Sequence, residues 1–342
     1  MNNKGMAITT VIYSIILLLS LCMFLVLGIL RSEYTNDKQY ITDLREELND
    51  WLKGDEESYG VNKIIKQTGN KDNSGLYTIT HPADSTLQIG ATEDITEYRY
   101  RGASPKNYVT FNNEVWRIIG VFPVDDGNGN IENRIKLIRN ESIGDKYWNT
   151  EEVSSTSSYN NWAGSTLNTY LNGTYLTGLS SEAQSMIGNA KYYLGGYNTS
   201  NIQKDAMYKY ERKIKNTTDN EFYYGKNPNN FIGKLALIYA SDYGYAASDE
   251  CTQTIAYYDN TACINNNWLF DSDAYLNEWT LNQHTENGSR SFIIYEIGRI
   301  TIDMYSTTLN SELAVRPVLY LISDVQITSG TGTSADPYKL SI

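Results

Sequence analysis

The sequence is poor in the residues that most often carry chemistry, with two histidines and three cysteines in 342 residues. A Ser–His or Cys–His hydrolytic centre would draw its base from His81 or His284. Both lie in polar sequence, His81 beside Pro82 and His284 within LNQHTENGS. They read as exposed loop residues, and no G-x-S-x-G elbow supplies a nucleophile, so no catalytic residue is assigned. The cysteines have neither a second pair nor an adjacent histidine, which argues against zinc. Positive charge is also scarce: 28 Lys and Arg stand against 40 Asp and Glu, a formal charge of −12. Because Lys4 and Arg31 are the only charges through residue 31, everything beyond carries −14. Nucleic acid needs a basic face and is disfavoured as a partner. Phosphate-cradling glycine patterns fail too, since GTGTSADPY at 330–338 opens no helix, and no cofactor is assigned.

What the sequence does contain begins at its N-terminus. Residues 6–30 (MAITTVIYSIILLLSLCMFLVLGIL) carry no charge, and the run exceeds the roughly 20 residues that cross a bilayer core of about 30 Å. A cleaved secretory signal has a shorter apolar region of about 7–15 residues, so this segment reads as a retained transmembrane helix with the lipid bilayer as partner. Residues 1–5 form a short basic leader or cytoplasmic tail, easier to keep inside than the 311 residues after Arg31. The expectation is a single-pass protein of the cell membrane with its C-terminal head outside.

Residues 31–53 place Tyr40, Ile41, Leu44, Leu48, Trp51 and Leu52 near helical spacing, with Gly54 as C-cap. This predicts an amphipathic stalk helix, or a short one lying on the bilayer or docked on the head. Residues 54–75, with Gly54, Gly60, Gly69 and Gly75, read as a linker, and 76–342 as an extracellular head.

In the head, apolar runs at 115–124 and 134–139 flank the turn-rich DDGNGNIEN and predict a hairpin. Leu167, Tyr170 and Leu171 share a helical face. Ser181 and Gln184 fit a capping box that opens a helix through Tyr192, stopped by Gly195 and Gly196. Strands are expected at 235–240, 291–297, 299–303 and 315–321. The class is α+β with a mainly antiparallel sheet.

Cys251 and Cys263 lie twelve residues apart beyond the membrane run, while Cys22 sits within it. In an oxidising compartment the first two are expected to form a disulfide, which for such a loop stabilises by about 3 kcal/mol; two free thiols are the alternative. Residues 125–132 offer alternating oxygen ligands but fit no EF-hand register, since Ile131 stands where glycine is required. They read as a solvated turn, as do Asp271 and Asp273, and no metal ligand is assigned. The 29 Tyr and 35 Asn suit an adhesive or carbohydrate-contacting head, or reflect A+T-rich coding or a tyrosine-rich core.

The opening MNNKG followed by Met6 resembles the leader of type IV pilins and pseudopilins. That resemblance implies cleavage after Gly5 with Met6 as the mature N-terminus; an uncut signal anchor is the alternative. Thr10 stands where that family usually carries Glu. VTFNNEVWRIIGV at 109–121, STLNTYLNG at 165–173, IYASDYGYA at 238–246, NNW at 266–268 and VRPVLYLISDVQITSGTGTSADPYKL at 315–340 resemble an uncharacterised domain family of Firmicute surface proteins. More remotely, the order of a W-R hairpin, an L-x-x-Y-L helix and a V-R-P strand is similar to the formylglycine-generating-enzyme and C-type-lectin-like folds. This implies a head whose two ends meet in the sheet, with Trp116 in its core, and it transfers no chemistry. The expected function is a membrane-anchored surface protein with a non-enzymatic head that contacts an extracellular ligand or a neighbouring subunit. The alternatives are a minor pilin-like filament subunit and an extracellular enzyme of unknown reaction.

Overall fold

The computed structural model describes residues 3–69, 74–151, 159–214, 227–270, 277–302, 307 and 311–342, so Asp271 and Asp273 lie outside the described residues. Helix α1 (Asn3–Ser58) runs unbroken for 56 residues, about 84 Å at 1.5 Å per residue. Gly54 does not end it, and Gly5 and Met6 fall in its first turns. Its apolar side chains from Val11 to Leu30 are exposed, Leu17 at 74% and Phe24 at 70%. Such a surface is untenable in water, and the helix is long and apolar enough to cross a membrane. Residues 1–57 form one unit and 58–342 the other.

The body opens with α2 (Gly60–Ile65), β1 (Gly75–His81), β2 (Ile95–Arg101), β3 (Tyr108–Phe111), β4 (Glu114–Asp125), β5 (Ile131–Arg139) and β6 (Asp145–Tyr147). A mixed middle follows: α3 (Thr166–Tyr170), a π-helical turn (Leu171–Tyr175), α4 (Leu176–Gly178), α5 (Ser181–Met186), β7 (Ala190–Tyr193), β8 (Gly196–Tyr197), α6 (Lys204–Arg212), β9 (Asn230–Gly233), β10 (Leu235–Ala236), α7 (Ala240–Ala246) and α8 (Thr261–Ile264). The last third supplies β11 (Glu278–His284), β12 (Ser291–Ile294), β13 (Ile300–Thr301), β14 (Glu312–Ala314), β15 (Val318–Tyr320), β16 (Gln326–Ser329) and β17 (Tyr338–Ser341). The fold is mixed α+β with a sheet-rich body.

The larger sheet runs β10-β15-β5-β4-β3-β17-β16, with β1 and β2 joined through β4; a second runs β13-β12-β11-β14-β6, with β8 on β11. Most pairs are antiparallel, while β3–β17, β11–β14 and β8–β11 are parallel. Strand β4 explains why one apolar run organises the body. Residues 116–122 are all buried, and both edges of the strand are paired, β5 along one and β3 and then β2 along the other. Gly120 permits that crowding, since a Cβ there would lie 2.0 Å from the Tyr98 carbonyl oxygen. Trp116 is fully buried, edge-on to Phe111 at 5.4 Å. A second aromatic nucleus joins Trp148 to Trp162 and Trp279, each at 5.5 Å.

Three sequence expectations are corrected. The linker reading of 54–75 fails at α2, whose Val61 and Ile64 are buried. Gly60 is there for close approach: its N–H donates to Val325 O at 2.8 Å, and a Cβ would stand 2.9 Å from that oxygen. The helix expected from Ser181 to Tyr192 is short. Ser180, one residue earlier, is the N-cap and accepts the Ala183 N–H, and the chain leaves the helix at Ile187 because Gly188 N–H bonds Tyr320 O in the sheet. The strand expected at 235–240 shrinks to β10, since the Asn282 side chain accepts the Ala240 N–H and starts α7.

Candidate functional site

Both histidines are buried in sheet, which overturns their reading as loop residues. His81 ends β1, stacked on Tyr208 at 3.6 Å, with Nε2 3.2 Å from Glu97 Oε2. His284 ends β11 in the other sheet, its Nδ1 accepting the Glu286 N–H at 3.0 Å. The pattern of β1, LYTITH, alternates as a strand should, and the polar look of its last residue hides a partner on β2.

That partner belongs to a buried ionic cluster. Arg99 Nε donates to Glu97 at 2.7 Å and Nη1 to Asp242 at 2.7 Å, while Lys136 Nζ donates to Asp242 at 2.5 Å. Arg212 pairs with Glu211, which also accepts the Ser241 N–H and hydroxyl. Burial pushes the Asp242 carboxyl up, but Lys136 and Arg99 more than offset that and hold it below the usual range. Burial acts likewise on Glu97 and is overcome by Arg99 and His81. Glu211, less fully compensated by Arg212, is raised. Three cations face three carboxylates, so the cluster neutralises itself within the core.

Residues 125–132 form the turn that was expected. Asp126 accepts the N–H groups of Asn128 and Asn130 and the Asn130 side-chain amide, and these bonds, the last foremost, pull its pKa down to about 2. Its lone pairs are committed to the turn.

Cys251 and Cys263 are joined by a disulfide, while Cys22 is exposed on α1. Cys263 lies in α8, and the chain beyond it, 264–270, forms the wall of a cleft of about 620 Å³. Asn267 fixes that wall: it bridges both Gly102 and Ala247, donates to Tyr243 O and accepts the Leu269 N–H. Trp268 follows, its Nε1 donating to Tyr100 O at 2.8 Å.

Arg117 stands opposite. The β3–β4 register pairs it directly with Tyr108, which brings its guanidinium 3.7 Å from the Tyr108 ring centroid and 4.7 Å from that of Trp268. Asn107 accepts from Nε at 2.7 Å and orients it. Arg117 is 8% exposed, yet among the described residues no carboxylate pairs with it. Arg316, also on the cleft, is already paired with Glu278 at 2.6 Å. Burial, opposed by Tyr108 and reinforced by Arg316, pushes the Arg117 pKa down to about 10, which leaves it charged at neutral pH. Burying a guanidinium without a counter-ion is costly. Every other buried cation described above has an acid of its own.

A roomier cleft of about 840 Å³ near α2 has no such vacancy in its bonding: Gln67 donates to Tyr338, Tyr100 donates to Gln67, and Lys63 reaches Ile327 O. Among the described residues no group of three or more His, Cys, Asp or Glu is placed to hold a metal.

Sequence reading did not single out Arg117, Tyr108, Trp268 or Arg316 as a site. One signal was present, since Arg117, Trp268 and Arg316 come from three separate blocks, VTFNNEVWRIIGV, NNW and VRPV, which the fold brings to one cleft. No protein-family model, curated protein or solved structure matches the chain.

Proposed function

We propose that the chain is a membrane-anchored surface protein whose head lies outside the cell and acts by binding, with the Arg117 cleft as its contact site. The observation that carries this reading is a buried, charged guanidinium between two aromatic rings, open to a cleft and paired with no carboxylate among the described residues. Such a group costs stability unless a ligand completes it. The disulfide fits an oxidising exterior, and the exposed apolar run of α1 fits lipid. A lectin-like arrangement of the head is supported by the meeting of its ends, where α2 bonds Val325 and β17 lies beside β3. The test is to display the purified full chain, in detergent, to arrays of glycans and proteins. Specific capture that Arg117→Gln removes is the expected outcome; absence of any specific capture contradicts the reading.

A second reading, a pilin-like subunit, is favoured by the unbroken length of α1. Its test is the mature N-terminus, which starts at Met6 if a leader ending in Gly5 is cut and at Met1 if it is not.

A further inference from the structure

Resting on that reading of the cleft, we propose that the ligand is an acidic sugar, a carboxylate on a hydroxylated ring, whose carboxylate pairs with Arg117. The geometry selects the anion first. Asn107 occupies Nε, and the rings of Tyr108 and Trp268 crowd the guanidinium. Tyr108 also makes a side-chain hydrogen bond with the guanidinium, so the remaining Nη N–H groups are the part left for pairing, and parallel N–H donors in one plane match a carboxylate.

Charge points the same way. With Arg316 neutralised by Glu278, the described lining of the cleft offers one net positive charge, inside a chain that carries −14 beyond residue 31. A monoanion balances it, whereas a polyanion would meet repulsion from the rest of the molecule. The remaining lining selects the frame that carries the anion. Ser104, Asn140 and Asn265 present a hydroxyl and two amides, which both donate and accept as sugar hydroxyls require, and the half-buried Phe270 offers an apolar ring. The volume, about 620 Å³, falls in the range of small-ligand sites.

The wall that carries Trp268 and Asn265 begins one residue after Cys263, so the disulfide holds one side of the site in place. Reduction is therefore expected to weaken binding even where the body stays folded.

The experiment is calorimetric titration of the full chain in detergent with D-glucuronate, D-glucose, acetate and inorganic phosphate. D-Glucuronate is expected to bind at least tenfold more tightly than the other three. Arg117→Gln is expected to weaken it at least tenfold, and Asn265→Ala, an exposed change that leaves the core intact, severalfold. If Arg117→Gln does not fold, the ligand ranking and Asn265→Ala still decide. Equal binding of D-glucose removes the role of charge, and equal binding of acetate or phosphate removes the sugar; either overturns the proposal, as does no binding by any probe. A short peptide whose free C-terminal carboxylate binds more tightly than D-glucuronate also overturns it. Specific capture on the protein or glycan arrays without D-glucuronate binding defeats this inference alone, while empty arrays defeat the underlying reading.

Discussion

Asp242 neutralises two buried cations at once, and removing its charge would leave Lys136 and Arg99 facing each other in the core. Asp242→Asn is therefore expected to cost about 3–5 kcal/mol in a urea melt. Acid should act through the same cluster. Glu97 and Asp242 are held below their ordinary values of 4.5 and 3.8, so their contribution is complete above those values and is lost as pH falls through and below them. Glu211 and Glu278, raised by burial, act in the opposite sense. The stability gap between wild type and Glu97→Gln should shrink between pH 6 and pH 3; a constant gap would remove Glu97 from the cluster's energetics. His81 belongs to this scale too. Stacked and hydrogen-bonded, it is expected to cost about 1–3 kcal/mol when changed to Ala, against about 3–5 kcal/mol for Trp116→Ala.

At the scale of elements, α2 and the disulfide-bound wall are the pieces whose loss is most informative. Ile64 is fully buried although it lies in a glycine-rich, polar stretch, and Ile64→Ala should cost about 2–5 kcal/mol, where a linker residue would cost almost nothing. Cys251→Ser should cost about 2–5 kcal/mol, read by denaturant melts of the oxidised and variant proteins. Local order explains what was legible. The β4–β5 hairpin could be read because its two apolar runs and the turn between them are contiguous. Strands such as β7 and β9, four residues each, could not, because what makes them strands is a partner far along the chain. The same holds for the cleft. Arg117 and Tyr108 are neighbours only through register, and Trp268 reaches them only after α8 and the disulfide have turned the chain. His81 was misread because a strand-end polar residue and a loop residue look alike until Glu97 and Tyr208 are placed.

For the whole molecule, α1 and the body have opposite chemistries. One unit exposes an apolar run that only lipid can cover, while the rest is acidic, tyrosine-rich and tied by a disulfide between Cys251 and Cys263. Under the proposed function these are an anchor and an external head, and the side of the membrane on which the head lies decides whether the cleft can meet an extracellular ligand at all. Protease treatment of intact cells tests this most directly, followed by detection of the N-terminal and C-terminal ends of the chain. The account predicts that the body is digested while a membrane-embedded fragment containing α1 remains. A body that stays intact until the cells are lysed would contradict it.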